Sequence, residues 1–278
     1  MASITDCVVE GLKYPFNDIK KLLGFGLLFV IFDLISMAFT LKTVDVTRMI
    51  IQTLEKTNAT ASTLGYSQLP HADIYLAIAM LIVGFIVSLF IMGYQYRVIG
   101  FSIDRKDDLP GFEDIVGMLI KGIKYFFVAI VYSIPSMVVL FLAILVTNNS
   151  SAWPVIMIIA VLLGIICYFL LIMALNNMVA HDSLKKAFDF REIIDNISNL
   201  GWGKYIGTVA FTVIVFMIIN LAIGVIMSFL TVIFAAAINN QAIVISTVIS
   251  VIEALFVTSY CSIFFNRVCG SIYRESVK

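Results

Sequence analysis

The chain has 278 residues, of which 61% are hydrophobic and only 13% are charged, and its mean hydropathy is +1.04. Soluble domains are about a quarter charged, so this composition excludes an ordinary soluble protein. The formal net charge at pH 7 is zero, which gives no reason to expect a nucleic-acid partner. The apolar residues occur in long blocks, as is typical of helices that cross a lipid bilayer.

Six apolar segments are long enough to cross a bilayer, which needs about 20 residues of helix. The fifth is longer than a bilayer requires and must tilt, bend near Gly224 or project beyond the membrane. The sequence therefore predicts an all-α integral membrane protein with six transmembrane helices, formed as a single domain over residues 1–278. In chain order the segments are Leu23–Leu41, Ile74–Gly93, Tyr125–Val146, Val155–Leu175, Tyr205–Ile238 and Ala242–Phe265.

The positive charges alternate between the segments that join these helices. Fifteen of the eighteen Lys and Arg residues lie near the two termini or in the connections after the second and fourth helices. The other three lie in the connection over residues 42–73. Since basic residues stay on the cytoplasmic side of a cell membrane, both termini are expected to be cytoplasmic. Residues 42–73, 147–154 and 239–241 are then outer loops.

Short strings recur along the chain and indicate three tandem repeats. A Phe-x-acid-Ile pattern appears shortly before each odd-numbered span, and the acids Asp18, Asp114 and Glu192 hold matching positions. RVIG (97–100) and RVCG (267–270) follow even-numbered spans, and NMVAHDSLKKA (177–187) holds the equivalent position after the fourth. Each repeat is expected to combine short amphipathic cytoplasmic helices with a membrane hairpin, in units near 1–96, 97–176 and 177–266.

A charged segment, GYQYRVIGFSIDRKDDLPGFED (93–114), interrupts the apolar blocks after the second span. Glu113 and Asp114 are expected in the first turn of the next helix, where acids complement the helix dipole. Helix capping on a solvated face is the interpretation that we favour. The alternative is a docking site for a protein partner or an anionic lipid head group, formed by Arg97, Arg105, Lys106, Phe112 and Asp114.

Two acids lie deep inside predicted spans, Asp33 in the first and Glu253 in the sixth. A charge at the bilayer centre costs about 2.5–3.5 kcal/mol on insertion scales, and such residues mark ion or proton pathways. They also occur as neutral groups that hydrogen-bond to a facing helix. If the three repeats close around an axis, the first span meets the sixth and the two acids approach each other. Asn220 is a further polar candidate, for which contact between helices is the simpler explanation.

Two classes of function fit these features. The first is a permease or channel-like protein for a small solute or ion, with Asp33, Glu253 and Asn220 in its path. The second is a membrane scaffold or accessory subunit that acts through its cytoplasmic connectors, as a homo-oligomer or with a protein partner. No metal site or cofactor is expected, because the four cysteines form no CxxC pair and the two histidines are far apart. No catalytic motif is visible either, so an enzyme is the least favoured class.

The strings GYQYRV, DDLPGFED, GIKYFF and VYSIP together resemble a prokaryotic membrane-protein family known as domain of unknown function 4013. The resemblance is strongest over residues 90–136 and weaker across the rest of the chain. Where the family often has tryptophan after its Leu-Pro pair, this chain has Phe112. The resemblance implies a multipass membrane protein and brings no activity, substrate or catalytic residue. The matching positions are Gly93, Tyr94, Arg97, Val98, Leu109, Pro110, Phe112, Asp114, Gly122, Lys124, Tyr132 and Pro135.

Overall fold

The structure is a computed structural model that describes residues 4–57, 70–145, 153–237 and 242–277, and almost all of these residues are helical. Two short 3-10 helices, Tyr14–Asn17 and Leu184–Phe188, precede α2 and α6, and a π-helix over Glu253–Thr258 joins α8 to α9. Within the described ranges the α-helices are α1 (Ile4–Lys13), α2 (Ile19–Thr57), α3 (His71–Ile103), α4 (Ile115–Leu145), α5 (Trp153–Ala180), α6 (Phe190–Leu200), α7 (Trp202–Ala237), α8 (Ala242–Ile252) and α9 (Ser259–Ser276).

Six helical segments are long and apolar enough to cross a membrane: α2, α3, α4, α5, α7 and the continuous segment formed by α8, the π-helix and α9. This confirms the six spans predicted from the sequence and makes the chain a multipass membrane protein. Many large apolar side chains face outward, for example Met217, Leu221 and Phe229, which are 63%, 71% and 67% exposed. Such a surface is suited to lipid, which is as apolar as the side chains themselves.

The first span is longer than predicted. α2 continues as a helix to Thr57, so the first part of the predicted outer loop over 42–73 is helical. Residues 43–57 contain neither Gly nor Pro, so the chain has no strong signal that would end the helix at the membrane edge. Residues 58–69 lie outside the described residues, as do most of the other two predicted outer loops.

Glycines allow neighbouring spans to approach closely. α3 and α4 cross where a Cβ atom at Gly93 would lie 1.9 Å from the carbonyl oxygen of Met118. At the same crossing a Cβ atom at Gly122 would lie 1.9 Å from the carbonyl oxygen of Leu89. Small residues serve this purpose in membrane helices, where close backbone packing drives association. α2 packs in turn against the π-helix of the last span, so the first and sixth spans meet, as the hypothesis of a closed bundle requires.

One end of the bundle carries much of the buried core. Here α1, both 3-10 helices, α6 and the loop over 104–114 cover the ends of the spans, and we call this end the connector face. Tyr14 and Tyr94 are buried in one apolar cluster with Leu109, and Met178 and Ile197 are buried in another. The connectors are therefore part of the folded core and not loosely attached linkers.

Aspartates cap helix starts at the connector face. Asp18, Asp114 and Asp189 each accept a hydrogen bond from the backbone amide three residues later, at 3.1, 2.9 and 3.3 Å. This is the pattern of an N-cap, in which a side-chain oxygen satisfies an amide that the helix itself leaves unpaired. The capping interpretation of the charged segment is therefore confirmed, and it extends to all three connectors.

The register of two predicted caps was wrong. α4 begins at Ile115, so Glu113 and Asp114 precede the helix and do not form its first turn. Asp114 has a positive φ of 57°, which no residue inside an α-helix adopts. In the third connector Glu192 does lie in the first turn of α6, as predicted, and the cap is Asp189, which precedes that turn and can reach its free amides. Glu192 supplies one of those amides.

Candidate functional site

The sixth span is irregular in its middle. Over Glu253–Thr258 the chain forms a π-helix, and such turns inside α-helices frequently occur at functional sites. α2 packs directly on this segment, since a Cβ atom at Gly26 would lie 2.1 Å from the carbonyl oxygen of Leu255. A side chain at this position would force the helices apart, so glycine fixes which part of α2 faces the π-helix.

This contact brings Asp33 and Glu253 into one region of the bundle. Asp33 lies two helical turns beyond Gly26 and therefore on the same face of α2. Glu253 is the first residue of the π-helix against which α2 packs. Both side chains are half-buried, and in the described part of the chain neither carboxyl group has a hydrogen bond or a salt bridge. The structure thus holds two unpaired acids on membrane-spanning segments that pack against each other.

A cavity of about 240 Å³ adjoins Asp33. Thr247 and Ser250 of α8 contribute hydroxyl groups to its wall, and Met37 lies one turn from Asp33 on α2. The Thr247 hydroxyl donates to the Met37 sulfur at 3.4 Å, and the Ser250 hydroxyl donates to the Ser246 carbonyl at 2.9 Å. The Asp33 carboxyl therefore borders a space with oxygen atoms around it, which is an environment that suits a proton or a small cation.

A second and larger cavity, of about 470 Å³, begins at Thr258, the last residue of the π-helix. We call it the polar cavity, because Gln95, Asn220, Ser262 and Asn266 contribute polar groups to its wall. Gln95 donates to the Ser262 hydroxyl at 2.9 Å, and Asn266 donates to the Ser262 carbonyl at 2.8 Å. Asn220 donates to the Phe216 carbonyl at 2.8 Å. The structure thus places Asn220 in the polar cavity and not beside Asp33.

Sequence reasoning found Asn220 but missed the other polar residues of this cavity. Gln95 lies on α3 and meets Ser262 of α9 across 167 positions of sequence, a distance that no local pattern bridges. A signal was nonetheless available in the last span. Thr258, Ser262 and Asn266 are spaced by four residues and therefore lie on one face of that span.

Two of the predicted docking residues are turned into the fold. Arg97 donates to the carbonyls of Gly111 at 3.0 Å and Asp114 at 2.7 Å, and so holds the loop before α4. Phe112 stacks on Tyr94 with ring centroids 4.9 Å apart. These contacts give Arg97 and Phe112 a structural role at the connector face.

The other three docking candidates remain at the surface. Arg105 is exposed and has a positive φ of 60°. Lys106 pairs with its neighbour Asp104 at 3.1 Å, and both side chains are more than half exposed. Asp114 is 68% exposed even though it caps α4. The docking site stays a prediction, and Arg105, Lys106 and Asp114 are the candidates whose side chains are exposed.

A buried ionic cluster lies beneath α1, and no pattern in the sequence indicates it. The Arg267 side chain is only 2% exposed, and its guanidinium donates to Glu10 at 2.7 Å and to the Lys106 carbonyl at 2.6 Å. Arg274 donates to the second oxygen of Glu10 at 3.0 Å. Burial alone would raise the pKa of Glu10, but the Arg274 and Arg267 guanidinium groups outweigh it and hold that pKa below its ordinary value.

Equivalent positions of the recurring strings make comparable contacts. Arg97 of RVIG binds the connector that follows it in the chain. Asn177, at the same place in NMVA, donates to the Lys186 carbonyl of the next connector at 2.9 Å. Arg267 of RVCG, after the last span, binds Glu10 and lies over the Tyr14 ring of the first connector, 4.1 Å from its centroid. Each string thus anchors a connector, and the third of these contacts joins the two ends of the chain.

Of the comparisons with known proteins, the one with protein families finds a match. The family described as "Protein of unknown function (DUF4013)" matches residues 75–232, which is more than half of the chain. The chain belongs to this family. No curated protein and no solved structure matches it. The family membership confirms the resemblance seen in the sequence and, like it, brings no activity.

The range matched by the family, residues 75–232, contains only some of the candidate site residues. It contains Gln95 and Asn220 of the polar cavity and the whole of the charged segment up to Asp114. Asp33 and Glu253 lie before and after it. The acid pair is therefore argued from the geometry of this chain alone.

Proposed function

We propose that this member of the DUF4013 family is a permease or channel-like protein that moves a small ion or solute past Asp33 and Glu253. The observation that carries the proposal is the presence of two unpaired carboxyl groups, one in a π-helix and one on the membrane-spanning helix packed against it. Placing an ionisable side chain inside a membrane span costs free energy, and such residues mark pathways for ions or protons.

The chemistry of the pair favours a proton or a cation. Two carboxylates that repel each other away from bulk water are stabilised by a shared proton or by a bound cation. No basic side chain supplies that charge to either acid in the described part of the chain. A proton or a bound cation is therefore the species that would balance the charge of the two carboxylates.

The two cavities support a path. The smaller one reaches Ser250 and Val251, just before the π-helix, and the polar cavity begins at Thr258, where the π-helix ends. A π-turn is a local departure from α-helical geometry, and a small change in its winding would alter which residues face these cavities. The π-helix is therefore the element that we assign to gating.

The finer topology belongs to the same proposal. We infer three repeats that close into a ring, supported by the matched contacts of Arg97, Asn177 and Arg267 with successive connectors. The excess of Lys and Arg on this side supports a cytoplasmic connector face in a cell membrane, with both termini inside. We propose no catalytic role, because the polar groups described at the site are carboxyls, amides and hydroxyls without an activated nucleophile.

The test is ion flux into vesicles that contain the purified protein. A pH gradient, and separately a sodium or potassium gradient, would be imposed while a fluorescent dye reports internal pH or cation concentration. Wild type is expected to dissipate at least one gradient faster than empty vesicles. Asp33→Asn and Glu253→Gln, which keep the side-chain shapes and remove the charges, are expected to abolish that difference.

Asp45→Asn is the matched control. It makes the same change on the same helix, at a residue whose salt bridge with Arg48 is solvent-exposed, and it should leave flux unchanged. If both acid variants conduct as well as wild type, the permease proposal is wrong. The hypothesis of a membrane scaffold would then be favoured, with Arg105, Lys106 and Asp114 as its exposed contact residues.

A further inference from the structure

An apolar groove runs between α5 and α7. Its volume is about 480 Å³, and its lining is almost wholly apolar. Val161, Ile165 and Ile214 line it and are 55%, 48% and 52% exposed, so the groove is open to the surface that faces lipid. In the described part of the chain the backbones of α5 and α7 stay apart over most of their length, and the Tyr205 hydroxyl of α7 donates to the Phe169 carbonyl of α5 at 2.6 Å. The seam between these two spans is therefore an opening in the side of the bundle.

The groove leads into the polar cavity. Tyr168 of α5 and Val213 of α7 line both spaces. Tyr168 is 41% exposed, and so it lies at the boundary between the seam and the interior. A molecule dissolved in the bilayer could therefore extend from the groove past Tyr168 to the polar groups of Gln95 and Asn220.

The polar cavity is lined by uncharged hydrogen-bonding groups. Gln95 and Asn220 contribute amides, and Ser262 contributes a hydroxyl. Tyr125 and Tyr168 also line it, and the hydroxyl of neither has a hydrogen-bond partner within the described part of the chain. A hydroxyl that is removed from water without a partner is costly, so these two groups favour a ligand that accepts or donates hydrogen bonds.

We propose that the polar cavity and the groove together bind an uncharged amphiphile that enters sideways from the bilayer. Its hydrogen-bonding head lies in the polar cavity, and its hydrocarbon tail lies between α5 and α7. An ionised head is disfavoured, because no charged side chain is among the described residues that line the cavity and an unpaired charge away from water is strongly destabilised. This inference rests on the cavity and the groove, and it stands whether or not Asp33 and Glu253 conduct.

The probe is a monoacylglycerol that carries a photoreactive group in its chain, added to vesicles that contain the purified protein. After illumination, mass spectrometry of the digested protein locates the labelled residues. Labelling is expected to concentrate on α5 and α7 near Ile165, Tyr168 and Val213. Excess unlabelled monoacylglycerol should compete for these positions. A photoreactive fatty acid with the same chain and an ionised head should label them about tenfold less.

Two substitutions on α7 give a matched pair. Ala210→Phe fills the groove, whereas Ala222→Phe adds the same ring to an exposed position on the same helix outside it. Only Ala210→Phe should remove the concentrated labelling. Asn220→Leu keeps the side-chain size and should weaken competition about fivefold, as expected for one lost hydrogen bond. Labelling spread evenly over the lipid-facing helices, or unchanged in Ala210→Phe, would overturn the proposal. Equal labelling by the fatty acid would overturn the assignment of an uncharged head.

Discussion

The cluster around Glu10 makes a prediction that can be worked from its geometry. Glu10→Gln removes one negative charge from a carboxylate that accepts from Arg267 at 2.7 Å and from Arg274 at 3.0 Å. The amide that replaces it has nearly the same size but only one acceptor oxygen. Arg267, whose side chain is 2% exposed, would then keep the Lys106 carbonyl, the Tyr14 ring and the exposed Asp107 carboxylate at 3.6 Å. It would lose its hydrogen-bonded counter-charge.

The expected loss of unfolding free energy is about 2–3 kcal/mol. Hydrogen bonds between charged groups contribute about 1.5–3 kcal/mol each, and breaking a fully buried ion pair costs about 3–5 kcal/mol. The Glu10 side chain is 35% exposed, so water screens part of the interaction and the lower range applies. The loss should appear as weaker docking of α1 against α9.

The same cluster predicts how this effect depends on pH. The pKa of Glu10 is lower in the folded protein than its ordinary value of 4.5, so the folded state favours the ionised carboxyl. Its contribution to stability is therefore fully present above about pH 4.5 and is lost as the pH falls through the folded pKa. Wild type and Glu10→Gln should differ at neutral pH and converge in acid.

Denaturant unfolding of the purified protein in mixed micelles, at neutral pH and in steps down to about pH 3, measures this difference. Glu113→Gln is the control, because the Glu113 side chain is exposed and has no hydrogen bond or salt bridge in the described part of the chain. A Glu10→Gln variant as stable as wild type at pH 7 would refute the reasoning. So would a difference that persists unchanged in acid, because protonated Glu10 should behave like glutamine.

Three further predictions follow from other contacts. Gly26→Leu should separate α2 from the π-helix and lower thermal stability and flux together, because its side chain would meet the Leu255 backbone. Gly224→Leu, with open space around it, should change neither. With the four native cysteines replaced by serine or alanine, cysteines at positions 33 and 253 should be joined by a short bifunctional maleimide, whereas cysteines at 45 and 253 should not. Failure of the first pair would show that the acids are not neighbours. Phe112→Ala should destabilise the protein by about 2–3 kcal/mol, because it removes the stack on Tyr94. Lys106→Ala changes an exposed side chain, and as the control it should leave the midpoint of denaturant unfolding unchanged. If Lys106→Ala lowered stability more than Phe112→Ala, Phe112 would face a partner and not the core.

Much of the architecture was accessible from the sequence because it depends on summed hydrophobicity. A membrane helix must contain about 20 apolar residues, so six such blocks predict six spans without any knowledge of packing. The helix starts were accessible to within a few residues, although Asp18 and Asp114 precede their helices as caps and do not lie in the first turn as predicted. The family resemblance over residues 90–136 was equally local and was confirmed.

The site was less accessible because it depends on which helix faces which. Arg267 looks like one of many basic residues near a membrane edge, and only the packing of α1 against α9 buries it beside Glu10. The π-helix has no periodic signature, because it changes the winding of a span whose composition stays apolar. The polar cavity forms only when α3, α7 and α9 meet, so Gln95 carried no signal of its own.

The central claim is that Asp33 and Glu253 form a site for a proton or a cation. The most direct measurement is thermal stability of the purified protein across pH and a panel of monovalent and divalent cations, for wild type and the double variant Asp33→Asn, Glu253→Gln. Anything that binds the folded state raises its apparent stability. The account predicts a shift with pH or with one cation that wild type shows and the double variant lacks. The same response in both proteins, or no response in either, would contradict it.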